Sequence, residues 1–218
     1  METNHVARMG ASSGDRRRWG VFTVLAVVAT VAGSLGMTGV EAAARHGNAT
    51  QAPANADWPT YLHDNARSGA STEAILNAGN APGLGVKWSV TTGNSVVTSA
   101  AVVGGVAYFG SWDGYEYAAN ASTGAVLWKT NLGTTTDPNC SYPTTAGITS
   151  NATVQNGVVY VGGGDSNWYA LNASNGAVLW SVFTGDNSVA GAHYNWSSPL
   201  IYTAKDGNTY AYIGIASN

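Results

Sequence analysis

Residues 99–128 read SAAVVGGVAYFGSWDGYEYAANASTGAVLW, and residues 151–180 repeat them as NATVQNGVVYVGGGDSNWYALNASNGAVLW. The two copies align without a gap at an offset of 52 positions, and 17 of the 30 aligned residues are identical. Each copy alternates short apolar runs with turn signals such as Asp113-Gly114, a dipeptide that favours tight hairpins. A repeat of this period, built from short strands, predicts an all-β protein, a β-propeller of four-stranded antiparallel blades.

The repeat divides the chain into two complete blades and one incomplete blade. The complete blades are predicted at 97–133 and 148–185, and a third copy at 196–218 stops after its second strand. The expected strands of the complete blades are 97–103, 106–111, 115–119 and 125–131, followed by 150–155, 157–163, 167–171 and 177–183.

An additional Trp-to-Gly segment precedes the first blade. Residues 84–93 share the Trp and Gly spacing that ends both complete blades, which predicts a lone outer strand. In a propeller such a strand closes the ring by completing the last blade. We therefore expect about two and a half blades here, with the sequence an N-terminal fragment whose missing blades lie beyond residue 218.

The N-terminus differs in composition from the repeats. Three arginines at 16–18 precede an apolar run over 21–40, and small residues follow. This order is typical of a secretory signal peptide, predicted over 1–44, and the small polar residues 45–57 are predicted to form a linker to the propeller at 58–218. An uncleaved anchor helix is the alternative, because the run approaches the ~20 residues that span a bilayer. The chain is expected to be exported to the periplasm, the cell surface or the medium.

Charge excludes one class of partner. From residue 45 onward the chain has five basic and nine acidic residues, whereas a nucleic-acid-binding protein needs a clustered basic face. We also expect no membrane contact beyond the signal segment. The lone cysteine, Cys140, predicts a free thiol or a partner cysteine, which we expect beyond residue 218.

The end of each blade carries a recognisable motif. The segments 118–128 (AANASTGAVLW) and 170–180 (ALNASNGAVLW) resemble the tryptophan-docking motif of pyrroloquinoline-quinone (PQQ) repeat propellers, Ala-x-Asp-x-x-Thr-Gly-x-x-x-Trp, with Asn in place of Asp. In that family the motif packs one blade against a neighbour. The resemblance therefore implies a structural role for eight residues: Ala118, Asn120, Gly124, Trp128, Ala170, Asn172, Gly176 and Trp180.

The resemblance implies two functional classes, and fold alone does not choose between them. One is the quinoprotein dehydrogenases, which oxidise alcohols or sugars with PQQ, a calcium ion and an Asp as catalytic base. The other is binding or scaffold propellers without a cofactor, such as the outer-membrane assembly lipoprotein. The sequence has no recognisable catalytic set and supports no confident assignment of a cofactor, metal or catalytic residue. It favours the binding or scaffold class, with the N-terminal part of a PQQ- and calcium-dependent dehydrogenase as the alternative.

The loops that do not repeat are the best candidates for binding. They connect the outer strand of one blade to the inner strand of the next, and in propellers these connections share one face. The expected ligand is a protein, a polymer or a small molecule. Five loop residues are the candidate contacts: Asp137, Cys140, Tyr142, His193 and Trp196.

Overall fold

The computed structural model describes residues 23–29, 57–136, 145–185 and 193–217. In these ranges the chain forms antiparallel β-sheets and one short 3-10 turn, Ala81–Gly83. The first blade has the strand order β2-β3-β4-β5 and the second β8-β9-β10-β11. Their strands are β2 (Ala101–Val103), β3 (Val106–Gly110), β4 (Tyr115–Asn120) and β5 (Val126–Asn131), then β8 (Thr153–Gln155), β9 (Val158–Gly162), β10 (Asn167–Asn172) and β11 (Val178–Phe183).

The two blades have the same register, which follows from their repeated sequence. Tyr108 lies opposite Ala118 in the first blade, and Tyr160 lies opposite Ala170 in the second. Both ladders shift immediately after that alanine, where the outer strand pairs with the third strand. These four-stranded antiparallel blades confirm the predicted fold class, an incomplete all-β propeller.

The inner strands are shorter than predicted. β2 begins at Ala101 rather than at residue 97, because the side chain of Thr98 takes over the pairing. Its hydroxyl donates to the carbonyl oxygen of Gly110 and accepts from the Gly110 N–H, both at 3.1 Å.

The third blade combines two consecutive strands with one strand that is distant in sequence. β13 (Leu200–Thr203) pairs with β14 (Thr209–Ser217), and β14 pairs on its other edge with β1 (Thr23–Ala29). Ala26 of β1 lies opposite Tyr212, just as Ala118 and Ala170 lie opposite the second-strand tyrosines of the complete blades. β1 therefore occupies the place of a third strand. The remainder of the predicted signal peptide and all of the linker except Asp57 lie outside the described residues.

Two short ladders lie in the connections between blades. β6 (Thr135–Thr136) pairs with β7 (Thr145–Ala146) in the connection that follows the first blade. β12 (His193–Tyr194) pairs with the end of β14 in the connection that follows the second blade.

The lone outer strand predicted at 84–93 is not seen in the described structure. This segment lies within the described residues and forms no strand. A strand requires a neighbouring ladder, and no strand in the described part of the chain pairs with these residues. Trp88 is nevertheless fixed, because its indole Nε1 donates to the carbonyl oxygen of Ala121 at 2.9 Å.

The core lies between the two complete blades. Val159, Val161 and Leu171 of the second blade are fully buried, as are Leu132 and Ile148 of the connection between the blades. Burial of branched side chains from both blades in one cluster supplies the main stabilising term of the pair. Among the described residues, no helix has the length and apolar character needed to cross a membrane.

Candidate functional site

A segment that precedes the blades lies across the inner edges of all three, and we call residues 57–69 the strap. Trp58 forms an isolated β-bridge with Val102 of β2, in which its N–H donates to the Val102 carbonyl at 2.6 Å and its carbonyl accepts from the Val102 N–H at 2.9 Å. The next carbonyl, that of Pro59, accepts from the N–H of Val154 in β8 at 2.8 Å. The strap therefore joins the inner strands of the first two blades through its backbone.

Two buried hydroxyl groups extend these contacts to the third blade. The Thr60 and Thr153 hydroxyl oxygens are 2.7 Å apart, and Thr153 donates to the carbonyl of Pro199 at 2.8 Å. Because the Thr153 proton is used in that bond, the Thr60 hydroxyl donates to Thr153. Both threonines are almost fully buried, which makes the pair structurally important since an unpaired buried hydroxyl is costly.

Arg67 fixes the far end of the strap. Its Nη1 donates to the Thr60 hydroxyl and to the Tyr61 carbonyl, both at 2.7 Å, and its Nη2 donates to the carbonyls of Ser198 and Pro199, both at 3.3 Å. Burial lowers the pKa of the Arg67 guanidinium, an effect that the Asp64 carboxylate opposes. The planar guanidinium fork satisfies four acceptors at once, and a lysine ammonium has no such geometry.

The strap is held in a backbone conformation that its sequence does not favour. Leu62, His63 and Arg67 have φ angles of 57°, 78° and 56°, in the left-handed region that costs a non-glycine residue about 1 kcal/mol or more. Such strain persists only where surrounding contacts over-determine the conformation, and it concentrates at functional sites. The strap is therefore a candidate functional element as well as a structural one.

Replacing Arg67 with methionine should reduce the free energy of unfolding by about 2 kcal/mol, because the buried Thr60 hydroxyl and three carbonyls lose their charged donor. Urea denaturation measures this loss. Lys87→Met is the matched control, since Lys87 is exposed and no contact of its ammonium is seen in the described structure. Equal stability of the two variants would show that the strap does not depend on Arg67.

Beside Arg67, a cleft of about 480 Å³ opens at the start of the inner strands, and we call it the channel-mouth cleft. Each blade contributes two equivalent residues to this cleft. In every blade, one first-strand residue pairs with the tyrosine of the second strand, and the two cleft residues lie four and two positions before it in the sequence. These are Val97 and Ser99 of the first blade, Thr149 and Asn151 of the second, and Trp196 and Ser198 of the third.

Hydrogen bonds link consecutive blades around this cleft. The Ser99 N–H donates to Oδ1 of Asn151 at 2.5 Å, and Nδ2 of Asn151 donates to the Ser198 hydroxyl at 2.9 Å. Two aromatic side chains of the lining remain accessible, Trp196 at 55% and Tyr61 at 42% exposure. The cleft thus combines a fixed polar floor with accessible aromatic surface.

A second cleft, of about 530 Å³, lies toward the hairpin end of β8 and is lined by both strap and blade. Asp57, His63 and Asp64 belong to its lining, so it is acidic where the channel-mouth cleft is not. The Asp64 carboxylate accepts from the hydroxyl of Ser68 at 2.6 Å and from its N–H at 3.0 Å, and these bonds lower the pKa of Asp64.

Three residues of the repeated motif, Gly124, Trp128 and Gly176, lie at contacts between consecutive blades. Nε1 of Trp128 donates to the carbonyl of Ala173 in the second blade at 2.9 Å, as Trp88 does to Ala121 in the first. A Cβ on Gly176 would be 2.6 Å from the Trp128 ring, and one on Gly124 would be 2.8 Å from the Trp88 ring.

The other motif residues act within their own blades. Asn120 and Asn172 cap turns by accepting backbone N–H groups at 2.9 Å, from Ser122 and Ser174 respectively. Ala118 and Ala170 are fully buried, and the ring of Trp180 lies 6.2 Å from that of Tyr160.

The five predicted loop contacts separate into three groups. Asp137, Cys140 and Tyr142 lie outside the described residues. His193 belongs to β12, where it pairs with Ser217, and Trp196 lines the channel-mouth cleft.

Sequence reasoning missed Arg67, Asn151 and the other polar residues of the cleft. Counting back from the repeated tyrosines to equivalent loop positions would have identified Ser99, Asn151 and Ser198. Among the described residues, no three His, Cys, Asp or Glu side chains are grouped as a metal site would require.

Sequence comparison with known proteins finds a matching family model and a related enzyme. The family model described as outer membrane protein assembly factor BamB matches residues 72–213. The quinohemoprotein alcohol dehydrogenase of Comamonas testosteroni is 31% identical over 142 residues, which are 61% of this chain and 18% of that protein.

Solved structures agree on the fold. The crystal structure of the Comamonas testosteroni enzyme matches 73% of this chain with a TM-score of 0.55 at 25% identity, over 23% of its own length. A europium-containing methanol dehydrogenase matches 74% of this chain with a TM-score of 0.56 at 18% identity, over 27% of its length. The chain thus spans about a fifth to a quarter of these relatives, and the second likeness concerns the fold alone.

Proposed function

Because the chain belongs to the PQQ-repeat family whose model is described as outer membrane protein assembly factor BamB, we propose that it is an exported binding or scaffold propeller whose ligand occupies the channel-mouth cleft. The observation that carries this proposal is the convergence of equivalent positions from three blades on one cleft beside the strap. In repeat proteins, non-repeating residues gathered on one face commonly form the binding surface.

The lining supports a partner of particular character. Trp196 and Tyr61 are accessible aromatic side chains, the type that most often anchors a protein interface. The described lining contains no carboxylate, and its one guanidinium, that of Arg67, is already bonded to four acceptors, which favours a neutral group on the partner. The strap keeps the floor rigid, so little conformational entropy is lost when a ligand is bound.

The proposal predicts that Trp196→Ala weakens binding to the cell envelope of the producing strain. With the purified protein immobilised and a solubilised envelope fraction as probe, we expect saturable binding that becomes at least tenfold weaker, because an aromatic anchor carries a large part of the contact energy. Phe183→Ala is the matched control, since Phe183 is 63% exposed on an outer strand away from the cleft. Absence of saturable binding, or equal loss in both variants, would overturn the proposal.

A second candidate function is the N-terminal part of a PQQ-dependent alcohol dehydrogenase, favoured by the 31% identity to the quinohemoprotein enzyme. A calcium ion in such a protein requires six to eight oxygen ligands. The described lining of the channel-mouth cleft contains no carboxylate, and the Arg67 guanidinium that would face an anionic cofactor is already bonded to four acceptors. These residues do not fit the cofactor and its metal, so we derive no catalytic step through them.

One assay separates the two candidates. The full chain is incubated with PQQ and Ca²⁺, and reduction of an artificial electron-accepting dye is followed with ethanol or glucose as substrate. Dye reduction that depends on PQQ, Ca²⁺ and substrate would support the dehydrogenase and overturn the binding-only function. Its absence, together with envelope binding that is sensitive to Trp196→Ala, is the result we expect.

A further inference from the structure

Glu116 is the one carboxylate in the described structure that is completely buried, and it lies in β4 of the first blade. Neither of its carboxyl oxygens has a hydrogen-bond partner among the described residues. The aligned position in the second blade is Trp168, which is also buried. A carboxyl group thus occupies a site that the sister repeat fills with an indole, and buried polar groups without partners are rare and require an explanation.

The carboxyl lies beneath the connection between the first two blades. A Cβ on Gly110, the residue opposite Glu116 on β3, would be 2.2 Å from Cγ2 of Ile148 and 3.1 Å from Oε2 of Glu116. The Ile148 side chain and the Glu116 carboxyl therefore both press on the same glycine. Ile148 is therefore one of the side chains that bury the carboxyl.

Leu132 and Ile148 lie near the two ends of this connection, and we call them its stem. Both hold the connection on the first blade. The Ile148 N–H donates to the carbonyl of Ser111 at 3.0 Å, and the Leu132 N–H donates to the carbonyl of Gly114 at 2.8 Å. Both stem side chains are fully buried. The stem therefore covers the turn that immediately precedes Glu116.

The charged groups on the surrounding elements are engaged elsewhere. Asp113, on the β3–β4 turn, accepts from the hydroxyl of Tyr117 at 2.6 Å and from the N–H of Gly93 at 2.7 Å. Lys129 of β5 lies over the ring of Tyr115, with its ammonium 4.5 Å from the ring centroid.

On the second blade, Asp165 accepts from the hydroxyl of Tyr169 at 2.6 Å. No described cation lies beside Glu116 to stabilise its ionised form, and burial raises the pKa of this carboxyl well above the usual value.

We propose that Glu116 is a pH-sensitive element of the seam between the first and second blades, protonated in the folded protein and releasing the loop stem when it ionises. An ionised carboxylate in this dry site has no partner, so ionisation favours any opening that admits water. The stem continues directly into Thr149 and Asn151 of the channel-mouth cleft, and the Thr149 hydroxyl accepts from Nε1 of Trp112 at 3.3 Å. Loosening the stem would therefore alter the cleft.

The direction of the pKa shift of Glu116 determines whether the protein gains or loses stability as pH rises. The pKa of Glu116 is raised in the folded state above its unfolded value of 4.5, so its contribution to stability is fully present below pH 4.5. That contribution is lost as pH rises from 4.5 to the folded-state pKa, because only the unfolded chain releases the proton in this window. Each pH unit across the window changes the unfolding equilibrium constant by a factor of about ten.

The test compares wild type with Glu116→Gln and Glu116→Leu in urea denaturation at several pH values between 4 and 8. We expect the ratio of unfolding equilibrium constants, wild type over Glu116→Gln, to rise about tenfold per pH unit above the unfolded value of 4.5 and to level off once the folded-state pKa is passed. The ratio of wild type over Glu116→Leu should rise with pH in the same way, and Glu116→Leu should be more stable than wild type at neutral pH. Glu73→Gln is the matched control, because it makes the same carboxyl-to-amide change outside the seam, at a half-buried side chain that accepts from the N–H of Ile75.

Two further measurements do not depend on denaturation. Carboxyl ¹³C NMR of the wild type should show a glutamate that titrates well above pH 4.5. Hydrogen exchange, corrected for its intrinsic pH dependence, should show the amides of Leu132 and Ile148 losing protection at high pH in wild type but not in Glu116→Leu. A flat stability ratio, a Glu116 carboxyl that titrates near 4.5, or unchanged stem protection would each overturn the proposal.

Discussion

Replacing Trp128 with alanine should reduce the free energy of unfolding by about 3 kcal/mol, the scale of large aromatic truncations. The indole donates to the carbonyl of Ala173, packs on the backbone of Gly176 and lies 5.9 Å from the ring of Tyr108. Truncation therefore removes a hydrogen bond between blades and leaves a void that neither blade can fill. Because both blades meet at this side chain, they should lose stability together, as one less stable cooperative transition in urea.

The control for this variant is Val126→Ala, on the same outer strand. Val126 is 45% exposed, so its truncation should change stability by less than about 0.5 kcal/mol. Trp128→Phe keeps most of the ring without the Nε1 donor and should lose only about 1 kcal/mol through the hydrogen bond. A loss below about 1 kcal/mol for Trp128→Ala would show that the blades are held together by other contacts.

The features that could be predicted from sequence are those with local or periodic causes. The 52-residue offset and the turn dipeptides located both complete blades, because hairpin geometry depends on the few residues in the turn. Gly124 and Gly176 have φ angles of 75° and 72°, which explains why both copies of the motif have glycine there.

The features that could not be predicted depend on partners that are remote in sequence. The Trp and Gly spacing at 84–93 matched the outer strands, but a strand is defined by its neighbour and the described structure gives this segment none. The strap contacts its partners through isolated polar groups, such as Arg67 to Ser198, that follow no period.

Glu116 combines a feature that the sequence could have predicted with one that it could not. Alignment with Trp168 would have indicated burial, whereas the lack of a hydrogen-bond partner required coordinates.

Replacing Gly164 with alanine should reduce the free energy of unfolding by about 2–3 kcal/mol, through overpacking alone. A Cβ on Gly164 would be 2.4 Å from the carbonyl oxygen of Gly133 and 2.9 Å from Cα of Gly147. Both obstacles are backbone atoms of the connection between the first two blades, so no rotamer change can relieve the clash. Gly164 also donates its N–H to the carbonyl of Leu132 at 3.0 Å, which fixes the distance between the two segments.

Gly85→Ala separates this steric effect from the general effect of removing a glycine. A Cβ on Gly85 meets nothing within 4 Å, so that variant should be neutral or slightly stabilising because alanine restricts the unfolded chain. Neither glycine has a left-handed φ, and backbone strain therefore does not contribute to the difference. Thermal denaturation of both variants beside wild type measures it. If Gly164→Ala were as stable as Gly85→Ala, the connection could not rest on the second blade as described, and the sealed site of Glu116 beneath its stem would lose its main support.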